Sequence, residues 1–141
     1  MNNKSKETKS NNIYIERNLI KSQAFLQLTG ISAKVLLFFI EKKQVSPIGR
    51  GKKKSWVIVN NGKIVFTYDQ AEKKYNISRK TFSRVISELV EYGFIDIARP
   101  GIGYARIETL YAMSDRWRKF GTNEFVAVER HTRISHKFPK K

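Results

Sequence analysis

The chain contains no cysteine, only 3 prolines and 2 histidines, and 12 acidic residues against 28 Lys+Arg. The missing thiols exclude a disulfide framework, thiolate metal sites, iron–sulfur clusters and a cysteine nucleophile. Carboxylates are too few to balance the cations, and the formal net charge over 141 residues is +16. That excess is more than solubility needs and points to a polyanionic partner. Long apolar runs are missing as well. The longest, Val35-Leu36-Leu37-Phe38-Phe39-Ile40, lies between Lys34 and Glu41 and falls far short of the ~20 residues of a membrane-spanning helix. Met1 to Asn12 carries Lys4, Lys6 and Lys9 without an apolar segment, which fits a basic arm and not a secretory signal. The expectation is a cytoplasmic protein without membrane contact.

What is present is material for a core. Hydrophobic residues make up 40% of the chain and aromatics 12%, whereas disordered basic tails are depleted in both. The length suits one domain. We place it at residues 20–122, with a basic N-terminal arm at 1–19 and a basic C-terminal tail at 123–141.

Periodicity divides that domain into elements. Ala24, Phe25 and Leu28 recur at helical spacing, with Gly30 placed to end a brief helix. Ser32 is a suitable N-cap for a second helix, in which Val35, Leu36, Phe39 and Ile40 form one face running to about Lys43. Lys42 to Lys54 mixes Arg50, Lys52, Lys53 and Lys54 with Pro47, Gly49 and Gly51 and reads as a flexible basic loop. Ser55–Val59 and Lys63–Phe66 are rich in β-formers and are joined by Asn60-Asn61-Gly62, which predicts a hairpin with Trp56 in its core.

Thr67-Tyr68-Asp69-Gln70 has the capping-box form, Asn76 suits a left-handed C-cap, and Ser78 caps a further helix. In that helix Phe82, Val85, Ile86, Leu89 and Val90 share a stripe, and Gly93 stops it. Phe94–Arg99 and Tyr104–Ala112 then predict a second hairpin around Pro100-Gly101-Ile102-Gly103. Ser114-Asp115 would cap a last short helix. Trp117 and Phe120 would share one of its faces, buried in the core or at a homodimer contact.

Two helices across a tight turn, followed by a hairpin, make the segment from Phe66 to Ile97 resemble the winged helix-turn-helix DNA-binding family. Ala71, Ile77-Ser78 and Leu89 to Ile95 carry the resemblance, which extends over about Ser32 to Ala112. It implies an α+β winged fold, from which this sequence departs by the additional β-hairpin and basic loop before the helix-turn-helix. It also implies double-stranded DNA as partner, with Ser78–Gly93 as the recognition helix and Arg99–Arg106 as the wing on the backbone or minor groove. Basic proteins of plasmids and mobile elements, replication initiators among them, use similar winged domains.

Charge placement argues independently. Arg79, Lys80 and Arg84 occupy the N-terminal half of that helix and Glu88 and Glu91 the C-terminal half, the reverse of what the helix dipole favours. A helix start facing phosphates and base edges would account for the reversal; the alternative is a set of ordinary solvated side chains. The candidate DNA contacts are therefore Ser78, Arg79, Lys80, Thr81, Ser83, Arg84 and Ser87 on the helix. Arg99, Gly101, Gly103, Tyr104 and Arg106 are the candidates on the wing. Arg50, Lys52, Lys53 and Lys54 would add phosphate contacts, as would the arm and the Arg130, Arg133, Lys137, Lys140, Lys141 tail.

Enzyme chemistry finds little footing. There is no Walker A sequence, Gly49-Arg-Gly51 and Gly101-Ile-Gly103 lack the rest of a dinucleotide fingerprint, and no Ser/His/Asp arrangement is available. His131 and His136 match no common zinc spacing. No cofactor, no metal and no catalysis are expected. The reading is a transcriptional regulator. A plasmid or mobile-element replication or partition protein, an RNA-binding protein and a protein-interaction domain are the alternatives.

Overall fold

A computed structural model describes residues 11–130. The expectations for residues 1–10 and for residues 131–141, which include both histidines, lie outside them. Five α-helices and two small antiparallel sheets make the described chain an α+β fold.

The first two helices are single turns, α1 (Arg17–Ile20) and α2 (Gln23–Leu26), the latter capped by Ser22 Oγ, which accepts from the Phe25 N–H at 3.1 Å. Helix α3 spans Gly30–Lys42 and its N-cap is Thr29. Gly30 therefore opens α3 instead of ending α2, and Ser32, expected as the cap, is buried within the first turn. Thr29 wins because Glu88, distant in sequence, accepts its N–H at 2.9 Å and its hydroxyl at 3.3 Å.

The next hairpin also differs from expectation. Strand β1 (Val45–Ile48) lies inside the segment read as a loop, and it pairs with β2 (Ser55–Ile58) in the register Val45↔Ile58 to Ile48↔Ser55. A 3-10 turn at Gly51–Lys53 lies between them. Asn60 and Asn61 explain why β2 does not pair forward with Lys63–Phe66. Asn60 accepts from the Gln44 N–H at 2.8 Å and donates to the Lys42 carbonyl at 3.1 Å. Asn61 accepts from the Met113 N–H at 2.7 Å and donates to its carbonyl at 3.2 Å. The two amides thus stitch the first hairpin's base to the second sheet, and Ile64 bridges to Tyr111 instead. Trp56 is 60% exposed and not in a core.

Helices α4 (Tyr68–Tyr75) and α5 (Arg79–Glu91) form as their caps predict. Both halves of the Thr67/Gln70 capping box are made, Asn76 adopts φ 58°, and Ser78 Oγ accepts from the Thr81 N–H at 3.2 Å. Gly93, at φ 89°, turns the chain out of α5 where a Cβ would lie 2.6 Å from the Trp117 backbone nitrogen. Only glycine meets both demands.

Strands β3 (Ile95–Arg99) and β4 (Leu110–Met113) follow. The second is shorter than the expected Tyr104–Ala112, because Gly103–Ala105 winds into a 3-10 turn and Arg106 takes φ 56°. The last helix is a 3-10 turn, Arg116–Lys119, whose N–H at Arg116 is accepted by Ser114 Oγ at 3.1 Å and not by Asp115.

The core gathers α3, α5 and the β3–β4 sheet around aromatic rings. Phe66 lies 5.2 Å from Phe39 and 4.9 Å from Phe82, and Phe39 meets Tyr111 edge-on at 5.1 Å. Burial pushes the Tyr111 hydroxyl far above the usual tyrosine range. Trp117 stacks on Phe94 at 6.0 Å and is only 5% exposed. The chain's own core therefore takes Trp117, which leaves it no surface for the homodimer contact suggested for that region.

Segments assigned to the arm and tail take part in this packing. Leu19 is buried, and Arg118 donates to both carboxylate oxygens of Glu16 at 2.7 Å. Arg116 is a second hub. Its guanidinium donates to Asp96 Oδ1 at 2.6 Å, to the Val90 carbonyl at the end of α5 at 2.9 Å, and to the Val126 carbonyl at 3.1 Å. No helix of the described residues is long and apolar enough to cross a membrane.

Candidate nucleic-acid interface

The outer face of α5 follows from its stripe. With Phe82, Val85, Ile86, Leu89 and Val90 buried, Lys80, Arg84 and Glu91 point away from the core and are exposed, as 100° per residue requires. Glu88 flanks them on the side of α3, where it bonds Thr29, and Ser83 on the side of the β3–β4 hairpin.

The reversed charges of α5 have partners inside the fold. Arg79 pairs with Asp69 and, at 3.7 Å, with Glu72, both on α4. Arg84 Nη1 lies 3.4 Å from Glu88, whose carboxylate also closes the start of α3. Lys80 forms no hydrogen bond or ion pair among the described residues. Arg79 thus braces α4 against α5, and Lys80 is the first-turn cation with its charge fully turned outward.

Ser83 and Ser87 are engaged differently. Arg130 Nη1 donates to the Ser83 carbonyl at 2.7 Å and to the Ser83 and Ser87 hydroxyl oxygens at 3.2 Å, while Nη2 donates to the Tyr68 hydroxyl at 2.9 Å. The chain from Val126 to Arg130 therefore forms a strap along α5, tied at one end by Arg116 and at the other by Arg130. An open crevice of about 1520 Å³ lies between α5 and the second hairpin, lined in part by Arg79, Ser83, Gly101, Arg106, Glu129 and Arg130.

On the hairpin, Tyr104 is 93% exposed at the tip and Arg106 is exposed beside it. Arg99 Nη2 donates to the Glu108 carbonyl at 2.6 Å and clasps the two arms. Gly101 serves a close approach within the hairpin, since a Cβ there would lie 2.6 Å from Thr109 Oγ1. Gly103 starts the 3-10 turn and Ser78 is spent in capping α5. Arg50, Lys52, Lys53 and Lys54 are all exposed at the far turn of the β1–β2 hairpin, which shares no hydrogen bond or ion pair with α5 among the described residues.

The structure thus brings Arg79 and Ser83 of α5 and Gly101, Gly103 and Arg106 of the β3–β4 tip to one crevice, leaves Lys80 and Arg84 outside its lining, and sets Arg50 to Lys54 on a separate projection. Sequence reasoning missed Tyr68 and the docking of Arg130. Neither carries a local signal, because the bonds span 43 to 62 residues of chain and depend on how the strap folds back. In comparisons with known proteins, no family model, no curated protein and no solved structure matches this chain.

Proposed function

We propose that this chain is a winged helix-turn-helix protein that binds double-stranded DNA sequence-specifically, with α5 in the major groove and the β3–β4 hairpin as a wing along the backbone or minor groove. The observation that carries the reading is the outward face of α5, where Lys80 and Arg84 stand opposite the buried stripe in a chain of net charge +16. A helix braced through Arg79, Glu88 and Arg130 presents those two side chains without having to order the helix on binding, which favours affinity. Arginine to guanine is the commonest specific contact in a major groove. Arg106 and Tyr104 are the wing residues best exposed for backbone contact. The action is occupancy without chemistry, in the cytoplasm, and control of transcription is the role that occupancy alone supplies.

Selection of bound sequences from a random duplex pool tests this. A defined motif should emerge, with two half-sites about 10 base pairs apart if two copies bind together. On that motif Lys80→Ala and Arg84→Ala should each cost about 1–3 kcal/mol and relax selectivity at one or two base positions. Should both variants stay folded and keep the full site preference in a footprint, α5 is not the reading helix.

A further inference from the structure

The β1–β2 hairpin carries an apolar and aromatic surface that duplex reading by α5 leaves unused. Trp56 is 60% exposed and Val45 48%. The ladder sets Trp56 opposite Pro47 and Ile58 opposite Val45, so these residues share one face. Arg50, Lys52, Lys53 and Lys54 crowd the turn ahead of them, and no carboxylate occurs between Glu41 and Asp69.

That combination selects among occupants. A second copy of the chain would bring two sets of like charges together, which opposes pairing through this hairpin. A membrane surface would meet the turn first, and the turn is charged with the indole set behind it, the opposite of an element that inserts apolar groups. A polyanion satisfies the cations. Among polyanions, one with unpaired bases also satisfies the indole, because its π faces are open, whereas bases in a duplex are covered by their neighbours. Lys54 Nζ lies over the Trp56 ring, 5.2 Å from its centroid, and this cation, moved off that face by a stacking base, is placed for the phosphate of the same nucleotide.

We propose that the β1–β2 hairpin is a second nucleic-acid site, which holds a single strand by stacking an unpaired base on Trp56 while Arg50, Lys52 and Lys53 neutralise its phosphates. It goes beyond the reading of α5 and does not rest on it. A chain with both sites would grip a duplex next to an opened or single-stranded stretch.

The test uses the full chain, a labelled 16-nucleotide oligo(dT) strand and a 16-base-pair duplex, with anisotropy and tryptophan emission as readouts. Trp117 is buried and Trp56 exposed, so quenching on addition of the single strand reports Trp56. Trp56→Ala should weaken single-strand binding about tenfold or more, the loss expected for one stacked base. Trp56→Phe should restore it to within about threefold while removing the quenching signal. Duplex affinity should stay within about threefold of the parent in both, and Lys80→Ala with Arg84→Ala should leave the single-strand affinity in place. The proposal is overturned if Trp56→Ala binds the strand as the parent does, or if emission is unmoved at saturation. It is equally overturned if phosphatidylserine vesicles, and not the strand, quench Trp56.

Discussion

Arg130 is the residue at which tail and helix become one structure. Its guanidinium satisfies two serine hydroxyls, a backbone carbonyl and the Tyr68 hydroxyl, and hydrogen bonds to a charged group are the strong ones. Arg130→Ala leaves those half-buried oxygens to water. It should lower unfolding free energy by about 1–2 kcal/mol in urea titrations and raise amide exchange across residues 126–130. Arg130→Lys should recover little, because an ammonium cannot span the same fork of acceptors. Equal stability and exchange in parent and Arg130→Ala would show that the strap is not moored there. The residue scale also corrects the electrostatic argument made from sequence. The reversal of charge on α5 is genuine, yet Asp69 and Glu88 answer Arg79 and Arg84 within the fold, so Lys80 keeps most of its force.

At the scale of elements, α5 is both the centre of the core and the support of the candidate interface. Phe82 is fully buried and meets Phe66 at 4.9 Å and Tyr68 at 5.1 Å. Phe82→Ala should therefore destabilise the chain by about 3–5 kcal/mol, read from the shift in urea midpoint, with DNA binding lost only as far as the fold is lost. A cost below about 1 kcal/mol would mean that the stripe is not packed as described. The caps and the stripe of α4 and α5 were legible because each is a local pattern read within a few residues: Thr67 with Gln70, Asn76, Ser78 with Thr81. The two hairpins were legible only in part. Strands were found at Ser55 and Phe94, but a strand does not announce its partner, and β1, with its proline and no alternation, resembled a loop.

Over the whole molecule, the segment before α1 meets the last 3-10 turn. Glu16, before α1, receives both guanidinium donors of Arg118, beyond β4, and that hydrogen bonding holds the Glu16 carboxyl below its ordinary 4.5. A carboxyl whose folded value is depressed stabilises the fold above its unfolded value, and the contribution disappears as pH falls through the folded value. Both groups are partly exposed, so the effect stays under about 1 kcal/mol. Thermal melts should therefore place Glu16→Gln below the parent at pH 6, with the gap closing as pH falls below 4.5. A gap independent of pH would assign the loss to something other than this carboxylate. The net charge of +16 acts at the same scale. Duplex affinity should fall steeply from low to physiological salt as bound counterions are released.

Composition and local pattern alone determined the absence of thiol chemistry, the cationic balance, the capped α4–α5 pair, the buried stripe and the outward Lys80 and Arg84. Each of these is set by a residue count or by neighbours within one or two helical turns. Only the tertiary structure decided that β2 pairs with β1, that Trp56 faces outward while Trp117 is enclosed, that Glu88 holds Thr29 as the cap of α3, and that Arg130 is moored on α5. Those outcomes depend on groups brought together from across the chain, by the amides of Asn60 and Asn61 and by guanidinium forks. Geometry at that range has no counterpart in periodicity, because a hydrogen bond is chosen by where the packed core delivers its two partners.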